Sequence, residues 1–152
     1  MIKVQQEQVS EIWGELIPLL EQHWREIAHY QDIALDVDRE AYETLEHIGC
    51  IRCWTARAAG ALVGYVVFFV RPNMHYRASK QALQDVLFLL PEYRRGRAGV
   101  TLIRVAETRL RDEGVQVVYH HAKKRHPRVG ELLGRLGYDL VDEIWAKRLD
   151  RE

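Results

Sequence analysis

The chain is poor in cysteine, in net charge and in long apolar runs, and each shortage closes off a class of protein. Cysteine occurs twice, as Cys50 and Cys53. A secreted domain stapled by disulfides carries more, so a reducing compartment is expected. A single Cys-x-x-Cys lacks the four ligands of a structural zinc. It also falls in a strand pattern, whereas a thioredoxin-like pair opens a helix; no metal is expected. Lys+Arg and Asp+Glu balance at 22 each, so the basic excess of a protein that coats nucleic acid is missing. A local basic site stays open. The longest greasy run, residues 61–70, is interrupted by Gly64 and falls well short of the ~20 residues that cross a bilayer. The first residues hold no apolar stretch of a signal peptide. The expectation is a soluble, cytoplasmic protein with no membrane partner.

What is present fits one domain over residues 1–152, close to the usual ~150 per domain. No repeat, low-complexity tract or linker interrupts it. Residues 10–23 read as a helix: Ser10 can cap it, Ile12, Trp13, Leu16, Leu19 and Leu20 recur at helical spacing, and Pro18 predicts a kink or break. A second helix spans 38–47, with Asp38 as cap, an apolar stripe of Ala41, Tyr42 and Leu45, and Gly49 as stop. The period then changes. Residues 50–57 and 62–70 read as a hairpin, 71–81 as a loop and 82–90 as a long strand ended by Pro91. A helix follows from about Arg97 to Gly114, then a strand at 115–121 and a helix at 127–136 stopped by Gly137. Loose alternation over 138–149 predicts one or two final strands. The strand–helix–strand unit from 82 to 121 requires a right-handed crossover between parallel neighbours. The fold class is therefore α/β (α+β): a mixed central sheet with helices on both faces.

The segment from Pro91 to Arg104 carries the chemistry. A buried strand ends, and a loop with Arg94, Arg95, Gly96, Arg97, Ala98 and Gly99 opens into a helix at Val100. The first amides of a helix have no internal acceptor and carry the positive end of its dipole. An anion finds donors already aimed at it there, and glycine lets it come close. The loop reads as a pyrophosphate cradle. It is no P-loop, because Val100 and Thr101 follow Gly99 where Lys-Ser/Thr would be needed, and two glycines do not make a dinucleotide fingerprint. A basic surface turn with a helix cap would share its composition.

The run 87–103 resembles the acetyl-CoA motif of the GNAT superfamily, a strand followed by Arg/Gln-x-x-Gly-x-Gly/Ala and a helix. Residues 126–138, ending Arg135-Leu136-Gly137-Tyr138, resemble the family's second signature. Framed on Gly99, the first motif position is Arg94 and the central glycine is Arg97; framed on Gly96 with Ala98 last, the first position is Tyr93. The helix residues that follow suit the Gly99 frame. His126 replaces the usual Asn, and Leu133 stands where many relatives carry a tyrosine that protonates the leaving thiolate.

The resemblance implies an acetyl-CoA-dependent N-acetyltransferase that passes acetyl directly to a primary amine of a small molecule or protein. It implies no metal cofactor, and dimers common in the family make a homodimer an expectation. Leu87, Phe88 and Leu89 would pair with the pantetheine arm, Arg94 to Val100 would hold the pyrophosphate, and His126 would lie near the cofactor. Asp85 is the candidate base, since a strand carboxylate near a cofactor can be desolvated. His75 and His121 are further catalytic candidates, because histidine titrates near neutrality. His120 and His121 point to opposite faces, so at most one meets the pocket. Between the first two helices the family lines its acceptor pocket, which makes His23, Glu26 and Tyr30, with Tyr76, the substrate-side candidates. The basic cluster at 123–128 could meet CoA phosphates or a polyanion, which leaves nucleic acid open as a partner. The alternative is a GNAT-like module that binds CoA, protein or nucleic acid without catalysis.

Overall fold

The computed structural model describes residues 1–151. They fall into two compact units, residues 1–121 and residues from 122 onward. In the first, a five-stranded sheet follows chain order: β1 (Ile2–Gln6), β2 (Ile51–Ala58), β3 (Ala61–Pro72), β4 (Lys80–Leu89) and β5 (Val117–Tyr119). Neighbours from β1 to β4 are antiparallel, and β4 and β5 are parallel. A helix between β4 and β5, here numbered α3 (Ala98–Asp112), supplies the crossover that a parallel pair needs. Two helices, α1 (Val9–Ile27) and α2 (Arg39–His47), come between β1 and β2.

Alternation along the strands sends side chains to two faces. Tyr65, Val67 and Phe88 pack with Ile12, Leu16 and Leu20 of α1. Trp54, Val66, Phe68 and Ala82 pack with Leu102, Ala106 and Leu110 of α3. The expected mixed sheet with helices on both faces is present.

Local details differ from the expectation. Ser10 does not cap α1. Gln8 holds the cap position, and Glu46 of α2 accepts from the Val9 amide at 2.6 Å and from the Ser10 hydroxyl at 2.6 Å. A carboxylate from another helix thus satisfies the helix start and complements its dipole. Pro18 neither breaks nor ends α1. It is exposed, as is Gly14, so water can serve the Gly14 carbonyl that loses its donor. Asp38 does cap α2, accepting from the Ala41 amide at 2.9 Å. The β2–β3 turn puts Ala59 at φ 48° and Gly60 at φ 85°, the left-handed pair that a two-residue hairpin favours.

Gly64 on β3 is dictated by β4. A Cβ there would stand 2.6 Å from Leu89 Cδ1, 2.8 Å from the Phe88 carbonyl oxygen and 3.2 Å from Leu89 Cα. Two of these are backbone atoms that cannot swing aside. Gly64→Ala should therefore overpack the sheet and cost roughly 1–3 kcal/mol. Thermal unfolding checks this, and an unchanged midpoint would mean that β4 does not pass so close.

The second unit contains α4 (Pro127–Arg135), closed by Gly137 at φ 95°. The strands expected over 138–149 are absent among the described residues, and Leu140, Val141, Ile144, Trp145 and Leu149 are exposed. Alternation makes a strand only where a neighbouring backbone completes the ladder.

Candidate active site

The β4–β5 ladder is short. It pairs Gln81 with Val117, Ala82 with Val118 and Leu83 with Tyr119, then stops. β4 runs on to Leu89, paired with β3 alone. A bulge falls at the divergence: Val67 pairs with Val86 but Phe68 pairs with Gln84, so Asp85 has no β3 partner. Bulges bend a strand and increase its twist. Beyond Asp85, alternate residues of β4 turn N–H and C=O toward an open edge, which is where an extended ligand can add as a strand.

That edge leads to the start of α3. After Leu89 the chain makes a single 3-10 turn, Pro91–Tyr93, and α3 begins at Ala98. The first bond of the helix runs from the Thr101 amide to the Arg97 carbonyl at 2.8 Å. The amides of Ala98, Gly99 and Val100 precede it and have no helical acceptor. Arg97 has φ −98° and ψ −2°, and its side chain caps nothing. Thus a non-glycine residue fits the central motif position without backbone strain. A Cβ on Gly96 would meet nothing within 4 Å, and one on Gly99 only Leu89 Cδ2 at 4.0 Å. Neither glycine has a left-handed φ. The fold itself does not demand glycine at either place. Arg95 and Arg97 are exposed beside these amides. The Arg94 guanidinium, by contrast, is committed to the protein, donating to Glu26 and to the Leu89 carbonyl.

The α1 and α2 side of β4 gathers polar groups. The Tyr42 hydroxyl of α2 donates to Asp85. Burial pushes the Asp85 carboxyl up, while the Tyr42 bond and the charge of His121 pull it down; the net shift is upward. Burial first, then the hydrogen bond to Asp85, holds the Tyr42 hydroxyl well above its ordinary range. His23 is only 7% exposed. Its Nδ1 shares a 3.1 Å hydrogen bond with the Tyr65 hydroxyl, and its ring stacks on Phe88 at 4.8 Å. Trp13 stands 6.0 Å from Tyr42, ring to ring.

Of the candidates drawn from sequence, Asp85, His121, Leu87, Phe88, Leu89, His23, Glu26 and the loop 94–100 meet around the outer half of β4. His75 and Tyr76 do not join them. They are exposed in the loop between β3 and β4, and five residues of strand, ~16 Å, separate Lys80 from Asp85. Tyr30 lies beyond the end of α1, edge-on to His29 at 4.6 Å. His126 holds the cap position of α4 in the second unit, without a side-chain cap bond. His120 shares a hydrogen bond of 2.6 Å with Gln84 Oε1 and meets the Phe68 ring at 5.4 Å. Burial pushes it down to about 4, which makes it a poor base for an ammonium ion. The Cys53 thiol is pushed up to about 12, chiefly by burial, and is inert as a nucleophile.

Sequence reasoning missed Tyr42, which reads as part of an apolar stripe, and Trp13, which reads as core. Nothing local marks either one; both are found through their partners across the fold.

A family model described as the acetyltransferase (GNAT) family matches residues 13–138. Among solved structures, a ribosomal-protein-alanine N-acetyltransferase from Brucella melitensis biovar Abortus 2308 superposes with a TM-score of 0.76 at 16% identity, over 97% of this chain and 99% of that one. The aminoglycoside acetyltransferase meta-AAC0020 from an uncultured soil metagenomic sample gives 0.75 at 16% identity, over 97% and 96%. AAC(6')-Iy, in complex with a CoA-containing bisubstrate analogue, gives 0.74 at 16% identity, over 97% of each chain. No curated protein matches. At these identities the likeness to solved structures is one of fold.

Proposed function

The chain belongs to the acetyltransferase (GNAT) family, and from that membership we propose that it transfers acetyl from acetyl-CoA directly to a primary amine of a small molecule or a protein. The observation that carries this reading is the open edge of β4 leading straight to the bare amides of Ala98, Gly99 and Val100. Acetyl-CoA supplies an activated thioester when bound. The edge of β4 from Leu87 to Leu89 would pair with the extended arm, and the α3 amides with Arg95 and Arg97 would hold the pyrophosphate. A backbone N–H on that edge would stabilise the charge that develops on the carbonyl oxygen.

The amine must lose a proton to attack. Asp85 is raised by burial and stands on the strand that holds the donor, so it is the base we favour. His121 is exposed, and its charge favours the carboxylate form of Asp85. The relatives named for aminoglycoside and for ribosomal-protein acetylation support an amine acceptor, small or proteinaceous. Leu133 in place of a tyrosine favours one other reading, a family member that binds CoA without catalysis.

A thermal-shift titration separates these readings from no CoA role at all. At a hundredfold excess over the Kd, acetyl-CoA should add ~2.7 kcal/mol, a rise of roughly 5–10 °C for a chain of this size, and NADH should add nothing. An unmoved midpoint would remove the CoA reading. An amine screen that detects the released thiol then distinguishes enzyme from binding module.

A further inference from the structure

Arg94 joins parts of the chain that lie 68 residues apart. Its Nη1 donates to Glu26 Oε1 at 2.7 Å and its Nη2 to Glu26 Oε2 at 2.8 Å. Its Nε donates to the Leu89 carbonyl at 2.7 Å, and its Cζ stands 5.4 Å from the centroid of the Phe88 ring. Glu26 lies in the last turn of α1. His23, one turn earlier, stacks on the same Phe88 ring. The end of α1 therefore grips the end of β4 twice, directly through His23 and indirectly through Arg94. A two-pronged guanidinium–carboxylate pair fixes angle as well as distance.

We infer that Arg94 is a positioning residue: with Glu26 it forms a latch that holds the cradle loop and the end of β4 against the last turn of α1, so that the acyl-donor and acceptor sides of the site are set together. It is then not the phosphate ligand that its place in the motif suggests, and Arg95 and Arg97 are the cations left facing the pyrophosphate. The inference rests on the acetyl-CoA reading above.

The two roles differ in sign for one substitution. If Arg94 serves the phosphates, Glu26 competes for it, and Glu26→Gln frees a cation and removes a repelling charge; acetyl-CoA binds as tightly or tighter. If Arg94 is the latch, Glu26→Gln breaks the fork and loosens the cradle; acetyl-CoA binds more weakly. Calorimetric Kd values for acetyl-CoA test this with wild type, Glu26→Gln, Arg94→Gln, the double variant and Arg94→Lys. All are measured well below each protein's melting temperature, with the folded state verified by circular dichroism, so that a loss of stability alone does not move the result. The latch predicts about five- to tenfold weakening in each single variant, a size typical of coupling between contacting residues. The double variant is no worse than either single, and Arg94→Lys behaves like Arg94→Gln because a point charge cannot keep the fork. Unweakened binding in Glu26→Gln, or losses that add in the double variant, overturns the latch. A wild type that binds no acetyl-CoA overturns the functional reading itself, and the latch with it.

Discussion

Gly99→Glu is expected to abolish acetyl-CoA binding while leaving the protein as stable as before, or slightly more so. The second residue of α3 has room for a side chain, since its Cβ would come no closer than 4.0 Å to Leu89 Cδ2. A carboxylate in the first turn complements the helix dipole by about 0.3–1 kcal/mol, and replacing glycine inside a helix gains a comparable amount. The same carboxylate lies against the amides that would hold the pyrophosphate and repels it. Losing two charge-assisted hydrogen bonds costs about 3–6 kcal/mol, a hundredfold or more in Kd. Calorimetry should therefore record no binding heat from a protein whose melting temperature is unchanged or raised. Gly99→Ala, with the small Cβ alone, should weaken binding far less. Retention of near-wild-type affinity by Gly99→Glu would show that the phosphates do not meet the start of α3.

The loop that runs from Pro91 into α3 is legible in the sequence because everything that builds it is local. A strand ends at a proline, arginines and glycines follow, and apolar residues at helical spacing resume within about a dozen positions. The features that the local sequence does not show are those that depend on partners. Asp85 sits in a bulge that exists only as a mismatch of register against β3. Its partner Tyr42 lies 43 residues away, on a helix face that reads as apolar. β1 is an edge strand rich in Lys and Gln, with only Ile2 and Val4 as apolar residues, too few for alternation to stand out. The reverse error occurs at 138–149, where alternation is present and the completing ladder is not. Ser10 reads as a cap because its type and place suit one, but Glu46 from α2 takes the role.

Asp85→Asn should separate chemistry from folding in the opposite sense to what burial usually suggests. As the base, Asp85 is expected to contribute a factor of ~100 to 10,000 to kcat. The amide keeps an oxygen for the Tyr42 hydroxyl but cannot take a proton, and acetyl-CoA affinity should stay as it is. In the wild type only the carboxylate form works, so the rate falls as pH drops through the raised Asp85 value, and the variant should lack that limb. Stability follows a different sign. The folded carboxyl titrates above its unfolded counterpart because burial disfavours its charge, an effect the Tyr42 hydrogen bond only partly offsets. Its contribution to stability is complete below the unfolded value of ~3.9 and is lost as pH rises through the folded one. Above that folded value the wild type carries a buried charge that the variant does not. Asp85→Asn should melt at the same or a higher temperature near pH 7, with the difference vanishing below about pH 4. Undiminished kcat in the variant, measured with an amine that supports thiol release by the wild type, would move the base elsewhere, to His121 first.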